Sequence, residues 1–243
     1  MNEEFAGPRM FKTTLWTEVL KAAHFPAQSG SLAFADLYLA YWYPLYAYTR
    51  RRGLSPSEAE DLIQEFFTHL VSKQSLNGLQ REGGKFRSFL LRSLENFLSM
   101  QWRREQSLKR GGGQRPLSLN APEGEARFAL EAIDGETPES TFEKRWALAL
   151  LEHVTQQLQD EYERLKKANL FLHLGEYLQP NRDALPYSTL VARLGMSEGA
   201  IKVAVHRMRQ RYGELLREAI ASTVSSPEEV DEELRYLISV VGK

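Results

Sequence analysis

The sequence predicts an all-α protein of two helical domains joined by a flexible acidic linker, with a helix-turn-helix in the second domain and a short C-terminal helix. Two observations carry this. Apolar residues recur at i, i+4 and i+7 over long stretches, and no run alternates apolar and β-branched residues with period two. The 243 residues, 42% hydrophobic, suffice for one or two ordinary cores.

Leu32–Arg51 reads as an aromatic-rich helix, expected to kink or restart at Pro44. Ser55 and Pro56 are a start signal, a cap followed by proline in the first turn. Behind them Leu62, Ile63, Phe66, Phe67 and Leu70 share one face of Ala59–Val71. A third amphipathic helix, Phe86–Arg104, follows the loop Asn77–Gly84. Gly111–Gly135 has glycine, proline and acids with little periodicity and reads as a linker. Thr141–Leu178 is helical again. Tyr187–Leu194 and a second helix behind Ser197 are separated by Gly195, the pattern of a helix-turn-helix. Ser226-Pro227-Glu228-Glu229 combines a capping box with proline and opens the last helix. The expected segments are a lead at 1–30, a first domain at 31–110, a linker at 111–140, a second domain at 141–222 and an acidic helical extension at 223–243.

Charge is patterned beneath a neutral total. The chain has 31 lysines and arginines against 32 aspartates and glutamates. Arg81–Arg115 carries nine cations against Glu82, Glu95 and Glu105, whereas Pro116–Glu143 sets Arg127 against seven acids. Basic modules flanking an acidic spacer point to nucleic acid. The chain has no cysteine, which excludes disulfides, thiol nucleophiles and cysteine-held zinc. No apolar run approaches the roughly 20 residues that span a bilayer, and no signal-peptide pattern opens the chain. A reducing cytoplasm is the expected location.

Three constellations carry chemistry. In the helix behind Ser197, apolar Ile201, Val205, Met208, Tyr212 and Leu215 alternate with Lys202, His206, Arg207, Arg209, Gln210 and Arg211. This suits a recognition helix on duplex DNA; the plain alternative is a solvated basic face. Asp61, Gln64 and Glu65 share a helix face beside the apolar stripe. That stripe suits a basic partner, a bare solvated face, or, with Glu60, the metal-binding carboxylates of a nuclease. In Leu79–Arg104 cations interleave with aromatics, the recipe for holding single-stranded DNA. Leu90, Leu94, Phe97 and Leu98 are core there, leaving Phe86, Trp102 and the cations as contacts.

In this order AEDLIQEFF, FRSFLLRSLENFL and SEGAIKVAVHRMRQRY resemble the extracytoplasmic-function group of bacterial sigma factors, over roughly Phe34–Gln106 and Leu148–Ile220. The first is similar to the group's core-polymerase docking helix, the second to its helix that opens the minus-ten element, the third to its minus-thirty-five recognition helix. The resemblance implies a protein without catalytic residues, metal or cofactor, whose partners are core RNA polymerase, promoter DNA in paired and unpaired form, and an anti-sigma or other regulatory protein. It places Asp61, Gln64, Glu65 and Phe66 at the polymerase. The loop Gln80–Phe86 would hold a flipped base, with Lys85, Arg87, Asn96, Trp102, Arg103 and Arg104 along the melted strand or adjacent duplex. Ser197, Lys202, Val203, His206, Arg207, Arg209 and Gln210 would grip the upstream element. Val203 and Ala204 depart from the group's usual Ser-Arg, which favours readout through shape and thymine methyls. The group's usual opening of the second domain is replaced by Asp160–Arg164 and an insertion to Arg182, where Phe171, Leu172 and Leu174 could supply an apolar patch. An ordinary DNA-binding regulator is the competing reading. The tail helix is expected to pack on the second domain and restrain DNA binding, or simply to cap the core.

Overall fold

The computed structural model describes residues 30–71, 85–108, 121–131, 135–178, 185–224 and 226–242. Among them are nine α-helices, one 3-10 turn and no strand, the all-α class that the periodicity predicts. The helices are α1 (Gly30–Arg51), α2 (Pro56–Val71), α3 (Phe86–Leu108), α4 (Ala121–Glu131), α5 (Pro138–Arg164), α6 (Ala168–Leu174), α7 (Tyr187–Leu194), α8 (Glu198–Ala221) and α9 (Glu229–Val241), with the 3-10 turn at Gly175–Tyr177. None of the described helices is long and apolar enough to cross a membrane.

Two compact units form. Unit 1 comprises the described parts of Met1–Ala149 together with Ile220–Lys243, and unit 2 is Leu150–Ala219. The chain therefore leaves unit 1 along α5 and returns to it along α8.

In unit 1, α2 starts as its sequence dictates. The Ser55 N–H donates to Glu58 Oε2 at 3.0 Å and the Glu58 N–H to Ser55 Oγ at 3.4 Å, closing a capping box. Ala59, Ile63, Phe66, Phe67 and Leu70 then fall on one buried stripe, as do Phe86, Leu90, Leu94 and Phe97 of α3. The two stripes meet where the Phe66 and Phe97 rings lie 5.8 Å apart. From α1 the buried Tyr41, Leu45, Tyr46 and Tyr48 complete the core, and Trp146 of α5 donates its indole N–H to Tyr41 Oη at 3.2 Å. Each such aliphatic or aromatic burial is worth about 1.5–3 kcal/mol.

Three expectations need correction here. α1 does not restart at Pro44; the proline removes its own N–H bond to Ala40, and burial of the surrounding tyrosines outweighs that loss. The 111–140 stretch is not linker throughout, since Ala121–Glu131 is a helix packed on α1. Gly124 lets α4 approach so closely that a Cβ there would lie 2.7 Å from the Trp42 indole. Glu125 accepts bonds from Tyr46 Oη and from two nitrogens of Arg50, each at 2.8 Å. The Arg50 hydrogen bonds hold the Glu125 carboxyl below its ordinary value. Finally, the tail helix α9 belongs to unit 1, against α3, and not to the second domain. It begins behind an irregular turn in which Glu228, with its carboxyl pulled down by the Ser226 hydroxyl, is the N-cap residue.

Unit 2 is built on Val154, Leu158, Leu174, Tyr177, Leu190, Ile201, Val205, Met208 and Leu215, all buried. α5 ends at Arg164; two residues on, Lys166 adopts a left-handed φ of 57°, and the chain turns back through a bond from the Lys167 N–H to the Tyr162 carbonyl at 2.7 Å. The join of α7 to α8 follows the sequence closely. Gly195 takes φ 63° and returns its N–H to Val191, and the Ser197 hydroxyl accepts the Ala200 N–H at 3.2 Å.

Candidate nucleic-acid interface

Three helix faces hold the residues singled out in the sequence. On α2, Gln64 and Glu65 are exposed and Asp61 is half-buried. The apolar stripe opposite is what turns these polar side chains outward. Gln101 of α3 donates its amide to the Glu65 carboxylate and so ties the acidic face of α2 to the next helix. Phe66 is not part of that face. It is 1% exposed and packed at a tilt against Phe67 and Phe97, because its position falls on the buried stripe. Glu60 is buried as well. No set of three acidic or histidine side chains suited to a metal forms among the described residues.

On α3, Asn96, Trp102 and Arg103 face outward, Trp102 with 72% of its surface exposed. Ser88, Arg92 and Ser99 lie on the same exposed side. The spacing 88, 92, 96, 99, 103 makes this one polar and cationic strip along the helix. Ser99 was not singled out from the sequence and Arg92 entered only as one of the cations of Leu79–Arg104, although counting three or four residues either way from Asn96 would have found both.

The start of α3 differs from expectation. Phe86 is fully buried, edge-on to Tyr41 at 5.4 Å, and its N–H donates to the Thr223 carbonyl at 2.9 Å. As the first residue of the buried stripe, it is core and not a base-stacking surface. The Arg87 side chain is 4% exposed. Its guanidinium lies between the rings of Trp146 and Tyr236, at 4.7 and 4.5 Å, and pairs with Glu143 at 3.0 Å and with Glu233. Burial and the Glu143 carboxylate push the Tyr236 hydroxyl up. Arg87 is thus a pin joining α3, α5 and α9 within unit 1. Lys85, a quarter exposed, pairs with Glu233 at 2.9 Å and Glu232 at 3.5 Å. Gln80 and the Arg104 side chain lie outside the described residues.

On α8 the exposed side carries Lys202, Val203, His206, Arg207 and Gln210, with Ser197 exposed at the preceding cap. Lys202 pairs with Glu198 one turn back at 2.7 Å. Arg209 differs from its neighbours, because its Nε–H donates to the Tyr177 carbonyl at 2.7 Å and ties α8 to the 3-10 turn. Arg211 makes a two-pronged pair with Glu161, at 2.7 and 2.9 Å, and holds that carboxyl below the usual range. Both arginines therefore brace unit 2, while Lys202 and Arg207 lie exposed between them and the start of the helix. The sequence pattern could not separate these uses, since all four sit between apolar positions of one helix.

Comparison with known families bears on the first two faces. Residues 37–108 match the model of sigma-70 region 2. The match covers less than half of the chain and is a likeness of that segment. It spans most of α1, all of α2 and all of α3, so both the acidic face of α2 and the exposed strip of α3 lie inside the sigma-70 region 2 segment. Sigma-70 region 2 is a non-enzymatic part of transcription initiation factors. No curated protein and no solved structure matches the chain.

Proposed function

We propose that this chain is a sigma factor of the extracytoplasmic-function group that carries core RNA polymerase to promoters in the cytoplasm and helps to melt them. Asp61, Gln64 and Glu65 would dock on the polymerase. The α3 strip from Arg92 through Asn96 to Arg103, with Trp102, would hold the unpaired strand by phosphate pairing and stacking. In unit 2, α7 and α8 would act as a helix-turn-helix, with Ser197, Lys202, Val203, His206, Arg207 and Gln210 on the upstream element. The observation that carries the reading is the α3 strip, an aromatic and cations on one exposed face within the region 2 match. The domain plan differs from a simple linker arrangement because α4 would travel with unit 1.

The test is transcription by bacterial core polymerase mixed with the purified chain. Promoter-dependent transcripts are expected, and failure to co-elute with core would end the proposal. Asp61→Ala with Glu65→Ala should weaken core binding about tenfold or more, the loss of two interfacial charges, without altering duplex binding by unit 2. A chain that binds duplex DNA but gains nothing from a forked template would be a duplex-reading regulator instead.

A further inference from the structure

We propose that α9 is an intramolecular competitor of the DNA strand: the carboxylates of Glu232 and Glu233 occupy Lys85, at the entrance to the α3 strip, in the place of a backbone phosphate. The inference rests on the reading of α3 as the strand-holding helix. It concerns contacts within unit 1 alone.

Lys85 immediately precedes α3, and two carboxylates share its ammonium, Glu233 at 2.9 Å and Glu232 at 3.5 Å, with the Tyr236 ring 5.1 Å away. The two acids differ in kind. Glu233 is fully buried and also pairs with the buried Arg87, so it is part of the pin that fixes α9. Glu232 is 68% exposed. Its bond to Lys85 is a surface ion pair that an incoming phosphate can exchange at little cost. Asp231, Glu229 and Glu228 precede these two along the chain. Together they add negative charge at the start of α9. Simple capping of the core would need Leu237 and the buried Glu233, but not a second, solvated carboxylate on an ammonium already paired.

The test is binding of a fluorescent single-stranded DNA oligonucleotide to the full chain at low and moderate salt. Glu232→Gln should bind about threefold more tightly than the wild type, the exchange of one surface ion pair, and the gain should vanish when Lys85→Gln is added. Glu228→Gln removes an equal charge from an exposed acid ahead of α9 and controls for net charge; it should give a smaller gain. A Glu232→Gln chain that binds as the wild type does, a gain equalled by Glu228→Gln, or a gain that survives Lys85→Gln would each overturn the proposal. Co-elution with core polymerase is measured on the same samples. Intact core binding with unchanged Glu232→Gln affinity rejects the competitor alone, whereas lost core binding in the wild type rejects the sigma-factor reading beneath it.

Discussion

Arg87 shows how much one side chain can organise. A guanidinium between two aromatic rings and two carboxylates is desolvated on every side, so its removal strands Glu233 in the interior with Lys85 as its remaining cation. Arg87→Ala should lower unfolding free energy by about 3 kcal/mol, read by chemical denaturation, because breaking a buried pair leaves an uncompensated charge. Arg211 and Glu161 form a milder pair. Arg211 holds the Glu161 carboxyl below its ordinary value of 4.5, so the ionised form is favoured by folding. The stabilisation is whole above that pH and fades as the pH falls through the lower folded value. Glu161→Gln should cost about 1 kcal/mol at neutral pH after solvent screening, and its melting temperature should fall less steeply on acidification than that of the wild type. Neither role was legible in the sequence. Arg87 and Arg211 look like every other cation in a basic stretch, and the Glu143 and Glu161 that they reach are 56 and 50 residues away.

At the scale of elements, local chemistry was legible and docking was not. The Ser55 capping box, the Gly195 turn and the Ser197 cap depend on residues within one turn of each other, and the structure places each as its sequence predicts. The apolar stripes of α2 and α3 were legible for the same reason. Phe66 was carried over from a resemblance and Phe86 from the interleaving of cations and aromatics, and neither reading weighed the buried stripe on which the residue falls. α4 escaped notice because glycine and acids mark a loop by composition, yet Gly124 is there for close approach and Glu125 for Arg50. Two substitutions probe these joints. Lys166→Gly should raise stability by up to about 1 kcal/mol, since a left-handed φ of 57° strains a side-chain-bearing residue. Gly195→Ala should lower it by about 1 kcal/mol through backbone strain alone, because no atom lies within 4 Å of the added methyl. Thermal melts of both variants give the signs directly.

At the scale of the whole chain, unit 1 is discontinuous: Leu150–Ala219 is inserted between its two parts. The Thr223 carbonyl receives the Phe86 N–H, and Glu233 of α9 receives Arg87, so the second part completes what the first begins. Vectorial synthesis then inverts the order of completion. Once α8 has been made, unit 2 has all its residues, whereas unit 1 still holds a guanidinium that lacks Glu233 and an unanswered amide at the head of α3. A nascent polypeptide arrested before Thr223 should be cut readily by protease within unit 1, and release of the finished chain should close that window. Protein quality control would thus have a built-in way to tell an aborted product from a complete one, at the very helix on which strand opening would depend.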